Sequence, residues 1–170
     1  MEIYLTSDLH FGHKNIIKYE NRNYKTVDEM DKDYIKKWNN KIKNNDLIYI
    51  LGDFSWYKAD KTMEILKQLK GRKILIVGNH DEIYLNNKNF DRSLFEEICY
   101  YKELKINKTK IILFHYPIID WNGKHNGSIH FYGHVHAIKN QDTEYMKNQE
   151  NCYNVSIDYN NKFLKLGDFI

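Results

Sequence analysis

Five short apolar runs punctuate the chain, and each stops at residues able to ligate metal or carry a proton. Ile3-Tyr4-Leu5 runs into Ser7-Asp8-Leu9-His10, and Leu47-Ile48-Tyr49-Ile50-Leu51 into Gly52-Asp53. Lys73-Ile74-Leu75-Ile76-Val77 is followed by Gly78-Asn79-His80-Asp81. Ile111-Ile112-Leu113-Phe114 leads to His115, and Ile129-His130-Phe131-Tyr132 to Gly133-His134-Val135-His136. The runs are too short for helices and rich in β-branched residues, which predicts strands covered on both faces. Gly78 lets the backbone turn sharply without a Cβ penalty. Open α/β sheets present active sites in this way, beyond the carboxyl ends of their strands.

Between the first three runs the period changes from two to about four. Val27, Met30, Tyr34, Trp38 and Ile42 recur at helical spacing, and Thr26 with Glu29 forms a capping-box pattern before them. A second helix is expected from an Asp60 cap, with Met63, Leu66 and Leu69 inward and Gly71 as its stop. A short helix is expected over residues 11–19. Residues 3–78 therefore read strand, helix, strand, helix, strand, which implies parallel pairing with right-handed crossovers.

The second half is less regular. One short helix is expected near Asp91 to Glu97, and Cys99–Ile106 with Lys110–His115 reads as a hairpin across Asn107-Lys108. Segments near 129–133, 153–157 and 162–166 add strands, while 120–128 and 137–151 read as polar loops. The expected fold is α/β: two packed sheets with helices outside, a parallel βαβαβ first half and a more antiparallel second half.

The 170 residues are expected to form a single domain, 1–170, and 42% hydrophobic with 15% aromatic content suits a packed core. No run approaches the length of a membrane span, and the first strand begins at residue 3, so a cytoplasmic protein without a leader is expected. Cys99 and Cys152 match no metal spacing and read as inert thiols. A net charge of +3 gives nucleic-acid binding little support.

Four imidazoles, two carboxylates and one amide at strand ends change the picture from fold to chemistry. So many polar groups converging on one rim would repel one another or lie unsatisfied without a cation. Imidazole, carboxylate and amide donors without thiolate suit Mn, Fe, Co, Ni or Zn. Seven ligands exceed one tetrahedral site and point to two divalent ions sharing a carboxylate.

The ordered set Asp8-x-His10, Gly52-Asp53, Gly78-Asn79-His80-Asp81, His115 and Gly133-His134-x-His136 resembles the calcineurin-like metallophosphoesterase superfamily. The resemblance implies that Asp8, His10 and His136 hold one ion, that Asn79, His115 and His134 hold the other, and that Asp53 bridges them. It further implies His80 as proton donor with Asp81 orienting it. The activity so implied is hydrolysis of a phosphodiester or phosphomonoester by in-line attack of a metal-bridging hydroxide. Two departures stand out. The Arg that many relatives place soon after the bridging Asp is absent, Phe54-Ser55-Trp56 standing there instead, and His13 adds an imidazole three residues after His10.

His13 and Arg22 are candidate phosphate contacts, because Arg offers a planar fork for phosphate oxygens. His130, inside an apolar run, reads as a core histidine. The expected partner is a small or flexible phosphorylated substrate and not a membrane. The competing readings are a nuclease-type phosphodiesterase and a metal-scaffolded interaction module; retention of His80 argues against the second.

Overall fold

The strands β1 (Ile3–Thr6), β2 (Leu47–Ile50) and β3 (Arg72–Ile76) are the three apolar runs of the first half, paired in parallel in a computed structural model describing residues 1–170. β4 (Glu97–Cys99) joins in parallel beyond β3, and β9 (Leu164–Lys165) pairs antiparallel with β1. The order is β4-β3-β2-β1-β9. The second sheet has the order β5-β6-β7-β8, from β5 (Tyr101–Ile106), β6 (Thr109–Phe114), β7 (Ile129–Tyr132) and β8 (Cys152–Asn154). Both antiparallel ladders, β5–β6 and β1–β9, involve strands of the second half, yet β6, β7 and β8 run parallel to one another. The expected two-sheet α/β architecture is present, with a mixed second sheet.

Side-chain alternation explains why the first-half strands are apolar throughout. Tyr4, Ile48, Ile50 and Leu75 pack toward the helices with Met30, Tyr34, Trp38 and Leu66. Their neighbours Leu5, Tyr49, Leu51, Ile74 and Ile76 point the other way and meet Ile111, Leu113, Ile129 and Phe131 of the second sheet. A smaller cluster of Ile112, Trp121, Tyr132, Met146 and Cys152 covers the outer face of that sheet. His130 lies in this buried layer, its Nε2 accepting from Ile118 N at 3.3 Å.

The helices follow the predicted amphipathic spacing with local differences. α1 is only Ile16–Tyr19, shorter than expected. α2 (Val27–Lys41) begins where Thr26 Oγ1 accepts from Glu29 N at 3.2 Å, but the Glu29 carboxylate turns to Lys25 N, so the box is one-sided. α3 (Ala59–Gln68) starts after Lys58, not at an Asp60 cap; Asp60 sits in the first turn, where it meets the positive end of the helix. Behind α3, Gly71 has φ +83°, and a Cβ there would meet Ile42 Cγ2 at 2.7 Å. α4 (Glu82–Leu85) was not foreseen, and the helix expected at 91–97 is a single 3₁₀ turn, Arg92–Leu94, capped by Asp91.

The hairpin turns through Asn107 and Lys108, both at positive φ, as a tight β5–β6 connection requires. The supposed loop 137–151 contains α5 (Gln141–Lys147), with Asn140 and Thr143 forming a capping box. The strand expected near 153–157 is β8, shifted to Cys152–Asn154, and α6 (Ile157–Asn160) follows it. No helix is long and apolar enough to cross a membrane.

Candidate metal centre

The carboxyl ends of β1, β2, β3, β6 and β7 deliver all seven candidate ligands to one place. Asp8, His10 and His136 bring ligand atoms within 4.8 Å of one another, and so do Asp8, Asp53 and His115. Asn79 Oδ1 lies 2.9 Å from His115 Nε2 and 3.0 Å from His134 Nδ1. Asp53 Oδ2 stands between the two groups, 3.6 Å from His10 Nε2 and 3.7 Å from His115 Nε2.

The backbone is bent to achieve this. Asp8 (φ 58°), His10 (52°), Asp53 (54°), His134 (69°) and His136 (46°) all occupy the left-handed region, which costs a non-glycine residue about 1–2 kcal/mol. Cross-loop bonds hold them there: Asp8 N donates to Gly52 O and His10 N to Asp53 O, each at 3.0 Å. His134 N donates to Asp8 Oδ2 at 3.0 Å, and Ser7 Oγ to the same oxygen at 2.6 Å. Gly78 is needed for packing: a Cβ there would stand 2.6 Å from Asp53 N.

The donor chemistry fits divalent cations. His115 Nδ1 donates to Leu51 O at 2.7 Å, which leaves its Nε2 lone pair aimed at the Asn79 oxygen. Two acceptors facing each other at that distance repel unless a cation joins them. His10 is buried with neither ring nitrogen partnered. Its burial, with His136 and Arg22 nearby, depresses its pKa and keeps the ring neutral, the form that ligates. Burial pushes the Asp8 carboxyl up to about 7, with Asp53 adding to the effect. Two buried carboxylates and an unpartnered imidazole form a place where positive charge is missing.

A family model for the calcineurin-like phosphoesterase superfamily domain matches residues 1–153. The chain belongs to that superfamily. Among relatives of this phosphoesterase-family chain, an uncharacterized protein of Methanocaldococcus jannaschii is 36% identical over 159 residues, covering 92% of this chain and 82% of its own. The gene 66 protein of Mycobacterium phage L5 is 27% identical over 160 residues, covering 79% and 77%. A protein of unknown function from Aquifex aeolicus superposes with a TM-score of 0.77 at 29% identity, over 98% of this chain and 96% of that one. A novel archaeal phosphodiesterase shares the fold, with a TM-score of 0.55 at 16% identity over 92% and 82%.

Against the superfamily pattern, two expectations change. Asp81 does not orient His80. Its buried carboxylate accepts from Gly78 N (2.8 Å), Asp53 N (3.0 Å), Phe54 N (2.9 Å) and Tyr84 Oη (2.8 Å). Its lone pairs are taken up in tying the Gly52 turn to the Gly78 turn. The His80 ring instead leans on Trp56 and has Asp53 Oδ2 at 3.9 Å from its Nε2.

Arg22, expected as a phosphate clamp, is buried beneath the centre. It holds Asp158 through two bonds of 2.7 and 2.8 Å, and it donates to the carbonyls of Leu9 and Asp8 at 2.8 Å. The fifth N–H meets Met30 Sδ at 3.4 Å, so no donor is left over for a substrate. His13 stays near the mouth, its ring centroid 5.4 Å from that of His10.

Asp158 was missed. It accepts from His136 Nδ1 at 2.7 Å and thereby aims the other nitrogen toward Asp8 Oδ1, 3.7 Å away. Burial opposes charge on His136, but the Asp158 bond outweighs it and holds the imidazole above its ordinary pKa. A signal existed: β8 is a strand parallel to β7, and Ser156-Ile157-Asp158 follows it as polar residues follow the other strands.

Proposed function

We propose that this chain is a metal-dependent phosphoric ester hydrolase. Asp8, His10 and His136 would hold one divalent cation, Asn79, His115 and His134 would hold the other, and Asp53 would serve both. The cations, when bound, neutralise charge on the phosphoryl oxygens and acidify the attacking water. The position of Asp53 Oδ2 between His10 and His115 carries this reading, because one carboxylate flanked by two imidazole groups suits a pair of sites better than one.

The protein's own groups then have separable tasks. Asp81, Arg22 and Asp158 keep the turns and His136 in register. His80 has 37% of its side chain exposed and stands beside Asp53 at the mouth. From there it gives a proton to the oxygen of the departing group.

A turnover screen of phosphomonoesters, phosphodiesters and 2′,3′-cyclic nucleotides with added Mn²⁺ tests the reading. Metal-dependent hydrolysis of at least one class is expected, and it should stop with chelator. A protein that binds metal yet turns over none of the three classes would instead be an interaction module.

A further inference from the structure

Trp56 closes the Phe54-Ser55-Trp56 stretch that follows Asp53, and no role has been given to it. Its indole lies flat against the His13 ring, with centroids 4.0 Å apart and planes 10° from parallel. It also touches His80, at 4.5 Å and a tilt of 53°, and reaches within 6.2 Å of the His10 ring. Its backbone is fixed as well: Trp56 N donates to Phe11 O at 2.8 Å, and Phe11 bridges Ser55. Trp38 and Trp121 are buried, whereas Trp56 keeps 36% of its surface open. A rigid, half-open indole at the edge of a polar cleft exposes apolar surface that a planar ligand group can cover.

Position decides which part of a substrate that is. His80 is proposed to protonate the departing oxygen, so the group leaving from that oxygen must extend on the His80 side. Trp56 is the exposed aromatic residue in contact with His80. Of the other exposed aromatic residues near the mouth, Tyr116 packs against His134 at 4.5 Å and Tyr19 meets His13 edge-on at 6.3 Å, so neither touches His80.

We propose that Trp56, braced by His13, is a stacking platform for a heteroaromatic leaving group, and that the preferred substrates are phosphoesters of nucleosides. This rests on the hydrolase reading for the direction of departure, while the stacking itself is a binding property. Stacking tolerates any base, since each presents a π face, so discrimination falls between base and no base.

The test uses Mn²⁺-loaded protein and two ligands that differ only in the base, adenosine 5′-phosphate and ribose 5-phosphate. Binding is followed by calorimetry and by tryptophan fluorescence. The nucleotide is expected to bind roughly 5- to 150-fold more tightly and to quench the exposed indole. Trp56→Ala should bring the ratio near one, Trp56→Phe should keep part of it, and Tyr116→Ala should preserve it. A wild-type ratio near one overturns the proposal, as does a ratio that survives Trp56→Ala or Trp56→Phe undiminished. Loss of the ratio in Tyr116→Ala alone would move the platform to the other side of the mouth and also overturn it. A Trp56-dependent preference without turnover of any ester would leave the platform standing and remove the hydrolase reading. Turnover without such a preference would do the reverse.

Discussion

Asp158→Ala is the substitution whose cost can be worked out most directly. The side chains of Arg22 and Asp158 are 3% and 4% exposed and share two hydrogen bonds. Removing the carboxylate leaves a buried guanidinium without its counter-charge, a change that costs about 3–5 kcal/mol. The Leu9 and Asp8 carbonyls still accept from Arg22 and spread part of that charge, so the lower end, about 3 kcal/mol, is expected. At a typical urea slope of about 2 kcal/mol/M this moves the unfolding midpoint down by roughly 1.5 M. Melts in excess chelator read this effect without any contribution from metal. Loss of the bond to His136 acts separately and should weaken metal binding about 10–100-fold, measured by calorimetric titration. Replacing both partners, as Arg22→Met with Asp158→Leu, should cost less stability than Asp158→Ala alone, because no unpaired charge remains. A midpoint within experimental error of wild type, or unchanged metal affinity, would refute the assignment of Asp158 as the buried link between Arg22 and His136.

His80→Ala should retain its metals and lose about 10²–10⁴-fold in kcat on an alkyl or nucleoside ester. It should lose clearly less on a nitrophenyl ester, whose leaving oxygen needs no proton; equal losses on both would exclude proton donation. Asp53→Ala should lower both metal content and turnover more than His134→Ala, as metal analysis of the purified variants will show. His130 offers a pH test: burial pushes its imidazole from the ordinary 6.5 down to about 4. Above pH 6.5 both folded and unfolded states are neutral there. As pH falls from 6.5 to 4 the unfolded state takes up a proton first, so up to about 3 kcal/mol of stability drains away in that window. His130→Phe should flatten the stability-against-pH curve between these values, and an unchanged slope would show that His130 titrates freely in the folded protein.

The candidate ligands were legible because each lies next to its strand in the chain. A buried strand must be apolar over a few residues, and the polar residues at its end stand out at once, as at Ile76 to Asn79 or Tyr132 to His134. The hairpin turn at Asn107-Lys108 and the face of α2 were legible for the same reason, since their causes lie within a few residues. The second half resisted more, because its parallel β7–β8 pairing depends on neighbours far along the chain.

Partnership inside the site belonged to the tertiary structure. Asp81 adjoins His80 in the chain, but its carboxylate is met by amides from a turn 27 and 28 residues away, and buried donors must be satisfied before an exposed ring is. Arg22 had the chemistry of a phosphate clamp, but the fold closes over it with Asp158, 136 residues distant. The left-handed φ values at Asp8, His10, Asp53, His134 and His136 fall on residue types that tolerate this region better than most, but residue type alone does not select it. They exist because two sheets converge and cross-loop hydrogen bonds hold each strand end in a conformation it would not choose alone. Composition along the chain set which chemical groups arrive at the rim; long-range packing and the satisfaction of buried charge set what each one faces there.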